Sequence, residues 1–435
     1  MNLNFDFYTL FITGLQSADA FVAAFGIIAA AAIAVSLVSK VGTWVLPQPS
    51  ESRVADFLPF KSLLSDGATL RCDNGTYVRV FKIEGVDLTS AREETVLSMF
   101  EARKAWLDNM ADMQVTCRAI TIRERVPVEN NKADFGNKWL KIVDDTWREN
   151  LSRVYKNDHY IIISIEDRKD AVKDLNYASQ SVLANLNDYG VKVMHEDDDT
   201  PAELSPVYPF VRILNPISKP TPKVRNAEGF QLKELLTADG IHFTGEEGVI
   251  KYFSGGKEKF ALTMGIRNSG DYMDESMISS LLAIDCELTV LHNIHPLFKP
   301  KARMILVQQQ KMASVTSFSG DVVDQYSEAL AAIEDSDADH QSLVEYSMSF
   351  ILKGDTMKEI EFGESEIQRI CRLFSVTPVR ENWIAQATFF NQFPGYDMCG
   401  RTYFYLSRIV SLAVSFEQLS TGLPRSDWGG RYNCI

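Results

Sequence analysis

The sequence predicts an α/β (α+β) chain: two mixed-sheet layers with packed helices, the second of them ferredoxin-like, preceded by one N-terminal transmembrane helix. Three observations predict it. The run Ala20–Val38 carries no charged residue and is long enough to cross a hydrocarbon core of about 30 Å. Between residues 69 and 193, short β-rich runs alternate with stretches whose apolar residues recur at helical spacing, the pattern of helices packed on a sheet. After the proline-rich stretch Pro216–Gly229 the alternation begins again. The expected organisation is therefore an anchor and linker over 1–50, a first α/β domain over 51–215 and a second over 216–435.

The anchor comes first. Asp6 and Asp19 precede it without a lysine or arginine, which argues against a secretory signal. Lys40, Arg53 and Lys61 follow it, so the positive-inside tendency puts the bulk of the chain on the cytoplasmic side. Leu46–Arg53 reads as a linker. Two β-rich runs then flank Asn74 and Gly75, residues that tolerate positive φ, which predicts a hairpin ending at Gly85. Ser90 and Glu93 stand at capping-box spacing ahead of a helix that places Val96, Met99, Phe100, Trp106, Leu107, Met110 and Met113 on one face. Gln114–Val126 alternates as a strand. Trp139, Val143, Trp147, Leu151 and Val154 return to helical spacing, and His159–Ile165 reads as a central strand. A helix over about 170–189 and a last short strand close this unit.

In the second unit, strands are expected at 248–253 and 259–266, a helix at 274–284 and a strand at 286–294. A long helical stretch over 299–333, a strand at 342–354 and a helix at 357–376 follow, in a split βαβ arrangement. A closing helix over 402–418 should bury Tyr403, Leu406, Ile409, Val410, Ala413 and Phe416.

Composition bounds the chemistry. With 435 residues, 46% of them hydrophobic, the chain can form two or three domains with real cores. A net charge of -14 opposes a broad phosphate-binding face, so no direct nucleic-acid partner is predicted. The six cysteines (Cys72, Cys117, Cys286, Cys371, Cys399, Cys434) form no CxxC pair, which fits reduced thiols better than a zinc ribbon or a disulfide framework.

Three stretches invite a catalytic or metal reading, and each has a plainer one. Gly255 and Gly256 before Lys257 suggest a phosphate loop, yet Lys251 occupies the first glycine position and Glu258 the hydroxyl position, so a hairpin turn is predicted. His292 and His295, with Cys286 nearby, lack the ligand count of a metal centre and read as strand-end histidines. His195–Thr200 is acidic but lacks the EF-hand glycine, and reads as a solvated loop. No G-x-S-x-G elbow is present, so no nucleophile is assigned. Catalytic, cofactor-binding and metal residues are accordingly none.

The chain resembles a known family at three places. The run Thr76–Asp87 carries Phe81 and Gly85 at an F-x-x-x-G ending; Phe389–Arg408 carries Gln392, Pro394, Gly395 and Arg401 in a Q-x-P-G loop; the closing DWGGRYNCI carries Trp428 and Gly429. Over about residues 55–430 these motifs resemble the CagE/TrbE/VirB family, the large ATPases of type IV secretion and conjugal transfer. The resemblance implies a RecA-like motor domain after the Trp-Gly turn, with ATP and Mg as the family's cofactors. The sequence ends before a phosphate loop, so ATP hydrolysis by this chain alone is not expected. The implied function is an inner-membrane-associated component of a type IV secretion or conjugative DNA transfer system, serving as docking and assembly part of the ATPase. The alternative is a truncated fragment of a full-length ATP-hydrolysing motor. Implied partners are inner-membrane components and other ATPases of the apparatus, with homo-oligomers allowed, and the implied location is the cytoplasmic side of a bacterial inner membrane. Pro394, Gly395, Arg401 and Trp428 are the candidate interdomain or partner contacts. From the residues themselves, the proline and glycine break one helix from the next, and Phe393 with Tyr396 either packs the loop on a neighbouring domain or forms a plain turn.

Overall fold

A computed structural model describes residues 53–418 apart from 89–90, 126–135, 152–153, 198, 221–230, 245–247, 269–274, 316–319, 335–339 and 397–400. The chain divides into Met1–Asp56, of which only a short stretch from residue 53 is described, and Phe57–Ile435, which holds the elements below. The anchor expected at Ala20–Val38 lies outside the described residues. Among the described residues no helix is long and apolar enough to cross a membrane.

Strand β1 (Phe60–Leu63) leads into the hairpin of β2 (Thr69–Cys72) and β3 (Tyr77–Ile83). Its turn has Gly75 at φ +88°, where a side chain would be strained. Asn74 closes the turn by accepting the Thr76 amide through Oδ1 at 3.1 Å. Helix α1 (Glu93–Met113) buries Met99, Phe100, Trp106, Leu107 and Met110. Its N-cap is Arg92, without a side-chain cap, so the capping box drawn from Ser90 is not what starts the helix; Ser90 lies outside the described residues. Strand β4 (Thr116–Arg125), helix α2 (Lys138–Leu151), strand β5 (Tyr155–Ile165), helix α3 (Ala171–Asn185) and strand β6 (Val191–Val193) complete the first run. Helix α2 departs from expectation. Trp139 is 75% exposed and Val143 55%, so these two residues of the expected buried face are exposed.

Short helices α4 (Tyr208–Leu214) and α5 (Leu232–Leu235) precede β7 (Gly240–Thr244), β8 (Val249–Ser254) and β9 (Lys257–Asn268). Gly255 (φ +55°) and Gly256 (φ +79°) make the two-residue turn between β8 and β9, both positive as a type I′ hairpin turn requires. Helix α6 (Glu275–Leu281) and strand β10 (Glu287–Pro296) follow. The long helical stretch is two helices, α7 (Lys299–Val315) and α8 (Gly320–Glu334). Strand β11 (Leu343–Gly354) leads to α9 (Met357–Leu373), β12 (Thr377–Arg380) and α10 (Ala385–Phe390). The closing segment is also corrected: Tyr403–Leu406 is strand β13, paired with β11, and only α11 (Ser407–Ala413) is helical. Its core reading holds for Val410, Ala413 and Phe416, which are buried.

The two mixed-sheet layers expected from the sequence are instead one sheet whose strand pairs are all antiparallel, in the order β1-β2-β3-β5-β4-β10-β11-β9-β8-β7. The order is a palindrome of two equivalent runs. In the first, β6 pairs β3, giving β6-β3-β5-β4; in the second, β12 pairs β9, giving β12-β9-β11-β10. Both are fourth-first-third-second, the order of a split βαβ unit. Crossover helices leave β3 parallel to β4 in direction, but β5 inserts antiparallel between them. The runs join edge to edge where β4 pairs β10 from Arg123↔Leu288 to Cys117↔Ile294, so segments 51–215 and 216–435 share a sheet. One face, carrying Phe81, Ile161, Ile163, Val290, Phe350 and Leu352, packs with residues of α1, α3, α6 and α9 into one continuous core. Neighbouring side chains alternate to the opposite face, where Arg118 lies.

Candidate functional site

The stretch Asn391–Tyr396, directly after α10, brings together most of the family-like loop. Phe393 is fully buried, its ring 6.1 Å from Phe60, 5.9 Å from Phe210, 6.2 Å from Phe389 and 6.1 Å from Phe390. These rings come from β1, α4 and α10, so one side chain ties three elements together. Pro394 is buried beside it. Gly395 has φ +88°, and a Cβ there would stand 3.0 Å from Nδ2 of Asn74, in the hairpin turn of the first run. Tyr396 stacks on Phe390 at 5.8 Å and donates its hydroxyl to the Phe57 carbonyl.

Arg118, on β4, closes the arrangement. It is 1% exposed, and its guanidinium donates from Nε to the Asn391 carbonyl at 3.3 Å and from Nη2 to the Tyr396 carbonyl at 2.7 Å. A buried guanidinium is tolerated where it is hydrogen-bonded, and here it grips both ends of the loop. Arg401 lies beyond the loop and pairs elsewhere: its Nε donates to Oε1 of buried Glu381 at 2.7 Å. That hydrogen bond, with burial working against it, raises the Arg401 pKa. Glu381 in turn crowds Gly265, where a Cβ would meet its Oε1 at 2.4 Å. Trp428 lies outside the described residues.

Sequence reasoning missed Arg118, Glu381 and the Phe60–Phe210 contact. Arg118 left a trace: it interrupts a face shared with Ile120 and Ile122, and a charge among alternating apolar positions calls for a buried partner. Glu381 left none.

Burial holds two histidines, His159 and His292, in neutral forms. His292 lies within β10, buried, with Nδ1 2.7 Å from the Tyr346 hydroxyl; burial, together with the charge of His159, lowers its pKa to about 3. His295 lies on the opposite face of the same strand, Nδ1 3.4 Å from Thr116 Oγ1. His159, fully buried, donates from Nε2 to the Glu417 carbonyl at 3.0 Å and accepts from Thr121 Oγ1 at 2.9 Å, and burial brings it down to about 4. Asp197 binds the amides of Asp199 and Thr200 at 3.1 and 2.7 Å, folding the acidic loop on itself. Cys72, Cys286 and Cys371 are buried thiols, each pushed up to about 12 by burial, too high to form reactive thiolate near neutrality. The loop and its clamp thus join segments of the chain that are distant in sequence.

Two family descriptions match this framework. "Type IV secretion system ATPase VirB4/TrbE, N-terminal domain" matches residues 68–171, and "CagE, TrbE, VirB family, component of type IV transporter system" matches residues 203–398. Between them they take in most of the chain. The chain belongs to the CagE/TrbE/VirB family. No curated protein matches it. The VirB4/TrbE N-terminal match runs from the β2–β3 hairpin to the start of α3, and the CagE/TrbE/VirB match takes in Phe393, Pro394 and Gly395 but stops short of Arg401. Arg118 and the loop it grips therefore fall in different matches. The chain is a component of a type IV secretion system ATPase at the level of its family domains.

Proposed function

We propose that the chain is the docking and assembly part of its secretion ATPase, held at the cytoplasmic side of a bacterial inner membrane by Ala20–Val38. Its partners in this reading are inner-membrane components and other ATPases of the apparatus, and further copies of itself. The observation that carries the proposal is α2: Trp139, Leu140, Ile142 and Val143 are all exposed within one short stretch of this helix. An apolar cluster rimmed by Lys138, Lys141, Asp144 and Asp145 has the composition of a protein–protein contact. ATP and magnesium belong to the family; this reading assigns no residue of the chain to them.

The test is a tagged Trp139→Asp/Val143→Asp variant, cross-linked in cells that carry the secretion apparatus. Cross-links to the other components should disappear while the thermal melt of the purified protein stays unchanged. Undiminished cross-links refute the docking surface. For the anchor, Ile28→Arg should cost about 3 kcal/mol of insertion and release protein from carbonate-washed membranes. Unchanged pelleting removes that part of the proposal.

A second reading follows from the description of the first match as the N-terminal domain of an ATPase: the chain is a piece of a longer ATP-hydrolysing motor. A G-x-x-x-x-G-K-[ST] motif in the coding DNA beyond codon 435 favours it.

A further inference from the structure

Where the two halves of the sheet meet, the ends of β4 and β11 and the start of β10 border a cleft of about 210 Å³ beside the first turn of α9. Arg125, Lys259, Lys353 and Lys358 line it. Lys353 stands apart from the rest. It is 3% exposed, and its Nζ has no hydrogen-bond partner among the described residues. The groups that act on it are Glu124 on β4, Glu287 on β10, Lys259 on β9 and Arg212 on α4. Both carboxylates are already matched. Glu124 meets Arg212 at 3.1 Å and Lys219 at 3.8 Å, and Glu287 is ion-paired with Lys259. On the rim, Asp355 lies 3.7 Å from Lys259, and Glu359 accepts the Asp355 amide at 2.9 Å. Asp285 is the remaining acid in the lining.

Lys353 is therefore a buried cation whose neighbouring carboxylates serve other cations. Burial lowers its pKa to about 8, which still leaves it mostly protonated at neutral pH. A buried ammonium without a hydrogen-bond partner is costly; an anion in the cleft offsets that cost. Helix α9 adds a favourable end: it runs 17 residues, its N-cap Thr356 accepts the Glu359 amide, and its first turn borders the cleft. Helix N-termini favour negative charge.

We infer that this cleft is an oxyanion site that takes one phosphate-sized group, held by Lys353 and Arg125 at the start of α9. The shared chemistry is a tetrahedral oxyanion, either free inorganic phosphate or the phosphate of a small monoester. Isothermal titration of the full chain at pH 7 and constant ionic strength, with inorganic phosphate in one arm and glycerol 3-phosphate in the other, tests it. One site is expected, with the tighter arm naming the source. Lys353→Met should weaken binding at least tenfold, and the wild-type affinity should fall between pH 7 and pH 9 as Lys353 loses its proton. Absence of binding in both arms overturns the inference, as does unchanged affinity in Lys353→Met. If that variant does not fold, Arg125→Gln, altered at an exposed position, decides: affinity equal to wild type overturns the site, and a severalfold loss supports it.

Discussion

Replacing Phe393 with alanine tests whether the family-like loop holds the fold together. The ring is fully buried among Phe60, Phe210, Phe389 and Phe390, at centroid distances of 5.9 to 6.2 Å. Truncating a buried phenylalanine costs about 3–5 kcal/mol, the larger values belonging to sites that cannot collapse onto the cavity. Collapse is restricted here because the surrounding rings belong to three elements and the loop backbone is pinned at both ends by Arg118. The upper half of that range is therefore expected. Phe393→Leu retains most of the volume and should cost less than about 2 kcal/mol. Trp383→Ala supplies the control: that side chain is 91% exposed, and its loss should stay within about 0.5 kcal/mol. Urea unfolding followed by circular dichroism measures all three. A Phe393→Ala change below about 1 kcal/mol, or one no larger than that of Trp383→Ala, refutes the latch.

Gly265→Ala should destabilise by about 1–3 kcal/mol through overpacking, because its Cβ would sit 2.4 Å from the Glu381 Oε1 that Arg401 holds; an unchanged urea midpoint contradicts this. Acid should weaken the fold through its histidines. His159 and His292 have folded pKa values lowered to about 4 and about 3, below the unfolded value of about 6.5. Between these limits the unfolded chain binds more protons, so stability falls as pH falls from about 6.5, by about 2–3 kcal/mol per histidine at pH 4.5. His159→Gln should flatten that dependence in urea titrations at pH 7 and pH 4.5, and an unaltered slope counts against it. Segment 51–215 expressed alone would bare the β4 edge that pairs β10 from Arg123 to Cys117, and open edges recruit other strands. Light scattering should show self-association. A stable monomer speaks for an independent first domain.

Much of the framework was legible in the sequence because it is local. The β2–β3 hairpin follows from Asn74 and Gly75, the β8–β9 turn from two adjacent glycines, and the buried face of α1 from helical spacing. Such features depend on φ preferences and on periodicity within a few residues. Helix α2 shows where periodicity misleads: its apolar spacing is real, but the structure leaves Trp139 and Val143 exposed. Spacing defines a face and leaves open what that face meets. Tyr403–Leu406 likewise became strand β13 because β11 offered it an edge.

By itself, then, the amino-acid order determined strands β2–β6 and β8–β11, helices α1–α3, α6 and α9, the hairpin turns and the acidic, cysteine-poor chemistry of the chain. Only the tertiary structure decided that two runs of strands form a single palindromic sheet, that Arg118 clamps a loop 273 residues away, and that Lys353 lies buried beside a cleft without a partner of its own. The reason is physical. Turn and helix preferences are set by neighbours along the chain, whereas strand partners, burial of charge and the pairing of carboxylates with cations depend on which distant segments the completed core brings together.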